Sequence, residues 1–181
     1  MGSRQTACQH AMSSTDIEIR PARAGEAPIL TELCIRAKAH WGYDATFMVA
    51  AAQLLRIREG EIGAGRVLAA LRQGDTAAPP CGVAAIAPLR RPHWFELSHL
   101  FVLPEDFRLG IGRTLFHSAV ALARDRGATH ISILSDPNAA FFYEKLGARR
   151  CGESPSGVER TRMLPLFEFA IPAAERGPLS R

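Results

Sequence analysis

Apolar and polar residues change rhythm several times along the chain, and each change predicts an element. Residues 17–22 alternate and stop at a proline, which predicts a short strand. Ile29, Leu30, Leu33, Cys34 and Ala37 then recur at helical spacing. Glu26 near the start of that run and Lys38 near its end suit the helix dipole. Residues 41–44 interrupt the pattern. A second helix is expected from Ala45 to about Glu59, capped by Asp44. Residues 65–75 and 79–89 read as two strands around a loop of turn-forming residues. Residues 93–104 form the most strand-like segment, ended by Pro104. A helix follows from about Ile111 to Arg126 and stops before Gly127. Residues 129–135 predict another strand. Residues 138–147 predict a short helix with Gly147 as its stop. Two closing strands are expected within residues 149–153 and 160–171.

The resulting order is β-α-α-β-β-β-α-β-α-β-β. It predicts one α/β domain over residues 16–170, with a mixed sheet. Residues 1–15 read as a leader and residues 171–181 as a frayed tail. The repeated βαβ rhythm of a doubly wound nucleotide domain is missing.

Composition narrows the function classes. A chain of 181 residues, 47% hydrophobic, supports one sizeable core. The formal charge is +4, from 22 basic and 18 acidic residues, and only Lys38 and Lys145 are lysines. Arginine suits phosphate through its fork of donors. Arg90–Arg91 and Arg149–Arg150 are too sparse for a duplex-binding stripe, so no nucleic-acid partner is expected. Cys8, Cys34, Cys81 and Cys151 are scattered and read as isolated thiols of a reducing compartment. His10, His117 and His130 lack metal-ligand spacing, so no metal is expected. No run of 18 apolar residues predicts a membrane span, and the first fifteen residues lack a signal-peptide core. A cytoplasmic location is the default expectation.

The chemistry starts at residues 107–113, Phe-Arg-Leu-Gly-Ile-Gly-Arg. Two glycines stand at the mouth of a helix directly after a strong strand. Free amides of a first helical turn attract an anion, and glycine lets a large phosphate group approach the backbone. Arg108 and Arg113 add charge. Leu115 stands where a dinucleotide fingerprint needs its third glycine, and no Walker A sequence occurs. The pattern suits a diphosphate-bearing cofactor outside those two classes.

Residues 96–116 resemble the acyl-coenzyme A motif of the GNAT family of N-acetyltransferases. That motif reads Arg or Gln, two residues, Gly, one residue, Gly or Ala. Gly110 and Gly112 fit it, and Phe107 stands where Arg or Gln is usual. Residues 135–153 resemble the family's Asn-Ala-x-x-Phe-Tyr-x-x-x-Gly segment, in the right order and separation. The resemblance spans most of residues 17–169. It implies the acyl-CoA N-acyltransferase fold, a mostly antiparallel mixed sheet with helices on both faces and splayed central strands. It also implies acetyl transfer from acetyl-CoA to an amine, by direct transfer in a ternary complex. A small-molecule amine is the expected acceptor, and a homodimer the expected assembly. A protein or peptide acceptor is the alternative, as is a non-catalytic acyl-CoA-binding module.

The resemblance also implies roles for particular residues. Leu109 to Arg113, with Ile111 among them, would meet the diphosphate. The pantetheine arm would run along the backbone of Phe101, Val102 and Leu103, with Phe142 nearby. Tyr143 is the candidate general acid for the departing thiolate; as one more core aromatic beside Phe141 and Phe142 it would need no such role. Asn138 either contacts the cofactor or caps its helix, a role open to Ser135 and Asp136 as well. Glu96 is the first candidate base and His99 the second, with water or no dedicated base as the third option. Strict alternation puts Glu96, Ser98, Leu100 and Val102 on one strand face, and Leu97, His99, Phe101 and Leu103 on the other, unless a bulge resets it. His40, Trp41 and Tyr43 are candidates for holding the acceptor, through aromatic faces that suit a cation, or else an aromatic plug between helices. Arg160 and Arg162 border the acceptor or sit on a solvated hairpin.

Overall fold

The computed structural model describes residues 17–74 and 78–172. The predicted leader, most of the tail and the tip of the 74–80 loop lie outside these residues. A seven-stranded sheet runs in the order β1-β2-β3-β4-β5-β7-β6. The strands are β1 (Ile17–Pro21), β2 (Val67–Arg72), β3 (Gly82–Pro88), β4 (Trp94–Val102), β5 (His130–Leu134), β6 (Arg149–Pro155) and β7 (Met163–Ala170). The helices are α1 (Ala27–Ala39), α2 (Ala45–Ala52), α3 (Glu59–Gly63), α4 (Ile111–Arg124) and α5 (Ala140–Lys145). Every strand pair is antiparallel except β4 with β5. The mixed α/β fold expected from the sequence is the fold observed.

Small residues at the centre of the sheet let helices approach both faces. Ala69, Ala70, Ala84 and Ala85 of β2 and β3 are buried beneath α1 and α4. At Gly82 a Cβ would stand 2.8 Å from Leu115 Cδ1 of α4, so glycine there sets the helix–sheet spacing. Leu30, Leu33 and Cys34 of α1 and Ile111, Leu115 and Phe116 of α4 complete the buried layers.

The second predicted helix stops early, at Ala52, and a short helix that was not predicted, α3, begins at Glu59. Asp44 caps α2 as expected, its side chain accepting from the Phe47 amide at 2.8 Å. After Ala52 the chain turns so that Leu55 and Ile57 both enter the core. Two residues apart, they reach one side only on extended backbone. Thr31 Oγ1 accepts the Ile57 amide at 3.0 Å, and Glu61 accepts the Arg58 amide at 2.8 Å to start α3.

Two irregularities place the site. First, β3 and β4 slip register: Ala85 faces His99 and Ile86 faces Leu97, which leaves Ser98 as an extra, bulged residue of β4. The Ser98 hydroxyl donates to the Ala85 carbonyl at 3.1 Å and steadies the bulge. Strict alternation therefore fails. Leu97, Leu100 and Val102 share the α4 face, whereas Glu96, His99 and Phe101 share the opposite one. Second, β4 and β5 pair only from Trp94↔His130 to Glu96↔Ser132. Beyond that the two strands part.

Candidate active site

The parting of β4 and β5 opens a cleft of about 740 Å³. One wall is the turn leading into α4. Gly110 caps α4 in the left-handed region, with φ of 81°. Arg108 is also left-handed, at φ 68°. This winding points successive amides outward: from Arg108 to Arg113 none donates to an acceptor among the described residues. Arg108, Gly110, Ile111, Gly112 and Arg113 all line the cleft. Leu109 does not. At Gly112 a Cβ would lie 3.4 Å from the Phe142 ring, so a larger residue would crowd the joint between α4 and α5.

The turn is braced from behind. Asp106, buried before it, accepts from Arg72 through Nε at 3.0 Å and through Nη2. Phe107, where the sequence departs from its motif, stacks on Trp41 with centroids 6.2 Å apart. It also meets His40 edge-on at 5.2 Å. An apolar ring thus fastens the turn to the end of α1, and His40, Trp41 and Phe107 all line the cleft. On the other side, Phe101 and Val102 line the cleft beyond the last β4–β5 pair. Leu103 instead turns into the core, and its amide bonds the Cys81 carbonyl.

Tyr143 rises from α5 into the same cleft. Phe116, Phe142 and Phe167 surround its ring. Its hydroxyl bonds no described residue, and burial raises its pKa well above the ordinary phenol value. Phe142 and Asn138 line the cleft beside it. Asn138 is not the cap: Asp136 Oδ1 accepts the Asn138 amide at 3.0 Å and so starts the 3₁₀ turn before α5.

The opposite end of the cleft is built from side chains distant in sequence. Asp136 Oδ2 accepts from Lys38 Nζ at 2.5 Å and from the Tyr43 hydroxyl at 2.6 Å. Arg162 Nη2 donates to the same hydroxyl at 2.5 Å. Tyr43 stacks on Phe47 at 4.4 Å, and both cations lie over this aromatic pair. Burial works to raise the Asp136 pKa, but the bonds from Lys38, Tyr43 and the Asn138 amide outweigh it and leave it lowered. Burial, then the bond to Asp136, pushes the Tyr43 phenol up. Lys38 and Asp136 line the cleft; Tyr43 and Arg162 do not line it but stand against them. Sequence reasoning missed Lys38, assigned to the helix dipole, and saw Asp136 only as a cap.

The two candidate bases differ. Glu96 belongs to the last β4–β5 pair; it does not itself line the cleft but stands next to Leu97 and Ser98, which do. Its carboxylate makes no hydrogen bond or ion pair among the described residues, and partial burial raises its pKa. His99 is buried under the segment between α2 and α3 and does not line the cleft. Burial is the main cause holding its pKa down, against Glu61 and the Leu54 and Leu55 backbone. Those backbone groups are near but not aligned, so Nε2 has no hydrogen bond.

This fold matches known proteins. Residues 36–148 match the acetyltransferase (GNAT) family, and the chain belongs to it. No curated protein matches the sequence. Among solved structures, the chain is similar to the GCN5-related N-acetyltransferase from Rhodopseudomonas palustris, at 21% identity and a TM-score of 0.67, over 90% of this chain and 99% of that one. It is also similar to the PaiA N-acetyltransferase from Thermoplasma acidophilum, whose structure holds coenzyme A, at 18% identity and a TM-score of 0.67, over 85% and 98%. A third similar structure is yncA from Salmonella typhimurium with its cofactor acetyl-CoA, at 17% identity and a TM-score of 0.63, over 91% and 99%.

Proposed function

We propose that the protein transfers an acetyl group from acetyl-CoA to the primary amine of a small molecule, directly, with both bound at once. The observation that carries this reading is the run of unpartnered amides from Arg108 to Arg113 on the wall of a cleft that Tyr143 enters. Those amides and the Arg108 and Arg113 side chains fit a diphosphate. The unpaired β4 edge near Phe101 and Val102 offers backbone groups to an extended arm. The coenzyme-bearing relatives support the same choice. Acetyl-CoA would supply the acyl group as a thioester.

The chain's own residues supply proton transfer. Glu96 accepts a proton from the incoming ammonium, since a raised carboxylate pKa brings it closer to its task. Tyr143 stays protonated at neutral pH and donates to the departing sulfur. The test is calorimetric titration with acetyl-CoA, with ATP as control, followed by measurement of CoA release with an amine panel. Saturable binding of acetyl-CoA alone is expected. Tyr143→Phe should lower kcat by about 100-fold with little change in acetyl-CoA affinity. A folded protein that ignores acetyl-CoA, or a variant with full turnover, contradicts the reading.

A further inference from the structure

The acceptor end of the cleft holds more positive charge than its own residues neutralise. Lys38 and Arg162 bring two cations and Asp136 one anion, with the Tyr43 phenol neutral between them. Their side chains are only 15%, 23% and 12% exposed, so water screens them only in part. A surplus charge held there is costly unless an anion joins it. Nearby carboxylates do not fill the role: Asp44 caps α2, and Glu159 accepts from the Thr161 hydroxyl.

Donor supply agrees with charge. Asp136 already accepts three bonds, Oδ1 from the Asn138 amide and Oδ2 from Lys38 and Tyr43. Arg162 comes no closer to it than 3.8 Å. The one side-chain hydrogen bond of Arg162 goes from Nη2 to Tyr43, so the rest of its planar fork has no acceptor among the described residues. A guanidinium fork held by stacking over Tyr43 and Phe47 is shaped for a two-oxygen anion.

We infer that Lys38, Tyr43, Asp136 and Arg162 form an anion-recognising subsite, and that the acceptor amine also bears a carboxylate. A single surplus charge matches a carboxylate better than a doubly charged phosphate. The amine half of this statement rests on the transferase reading above; the carboxylate half does not.

The test measures binding without turnover. With CoA saturating, the protein is titrated with a panel of N-acetyl-L-amino acids and with the matching amides. The acids that bind should do so at least about ten-fold more tightly than their amides. Arg162→Gln should erase the preference, and Arg162→Lys, which keeps charge but not the fork, should keep part of it. CoA affinity should be the same in all three proteins and reports that each is folded. Equal affinity for acids and amides, no binding by any acid, or a preference that survives Arg162→Gln overturns the subsite. Acid preference without CoA release from acetyl-CoA and the matching amino acids keeps the subsite and removes the transferase. Release that is as fast with amino-acid amides as with amino acids keeps the transferase and removes the subsite.

Discussion

The two ends of the cleft are made of different materials. The end proposed for the coenzyme is backbone: a short stretch, residues 108–113, wound so that its amides face outward. The end proposed for the acceptor is side chain: Lys38 and Tyr43 before the sheet's centre, Asp136 after β5, Arg162 beside β7. Backbone donors carry no information about what is acylated, and they are lost only to proline or to a Cβ that spoils the winding. Side-chain donors can be exchanged singly, and each exchange changes charge or donor geometry. One end is therefore built to keep a fixed ligand, and the other to be retuned.

The sharpest way to break this contrast is at Gly110. Gly110→Val forces a β-branched residue to φ of 81° and should rewind the turn. Strain of roughly 1–3 kcal/mol, applied where the amides must converge, should weaken acetyl-CoA binding by about 10- to 100-fold. Calorimetry measures this directly. An unchanged affinity would mean that the amides do not hold the coenzyme.

Asp136→Asn tests the other end. It leaves Lys38 and Arg162 close together without their counter-ion. Partial exposure softens the penalty for a broken buried pair to about 2 kcal/mol, which lowers Tm by roughly 4–8 °C in a domain of this size. The pH dependence has a definite sign. The lowered Asp136 pKa stabilises the fold above the unfolded-state value near 4, and that stability is lost as pH falls through the folded value. The variant should thus lose more stability at pH 7 than at pH 3. Equal losses at both would show that the ion pairs contribute nothing.

The same contrast explains which features are legible in the sequence alone. The glycine turn is local, so spacing alone exposed it, together with the strand before it and the helix after it. The order of strands followed from hydrophobic rhythm for the same reason. The acceptor end joins residues 93 to 119 positions apart, and no local pattern marks such a meeting. Lys38 fits a helix end as well as an ion pair. Phe107 departs from its motif because it serves packing: its contacts with His40 and Trp41 come from α1, far upstream. The bulge at Ser98 has no composition of its own, yet it decides that Glu96 and His99 share a face. The break after Ala52 was hidden because Leu55 continues the helical spacing of Met48 and Ala51, and only the burial of Ile57 two residues on reveals extended backbone.

Glu96 belongs to neither end, and it should give the smallest effect on stability with the opposite sign to Asp136. No described residue pairs with it, and burial raises its pKa. A raised folded-state pKa means that the neutral form fits best. The stability this provides is present below the unfolded value and is lost as pH rises through the folded value. At pH 8 the carboxylate is therefore a burden on the fold, kept where the strands part. Glu96→Gln removes the charge and keeps the shape. It should leave stability at pH 4 nearly unchanged and raise it at pH 8 by up to about 1 kcal/mol, or a few degrees in Tm. Turnover should fall in the same variant. A more stable and less active protein would mark Glu96 as a group placed for chemistry at the expense of the fold. A variant that is less stable at pH 8 would mean that the carboxylate has a structural partner, and the base would have to be sought elsewhere.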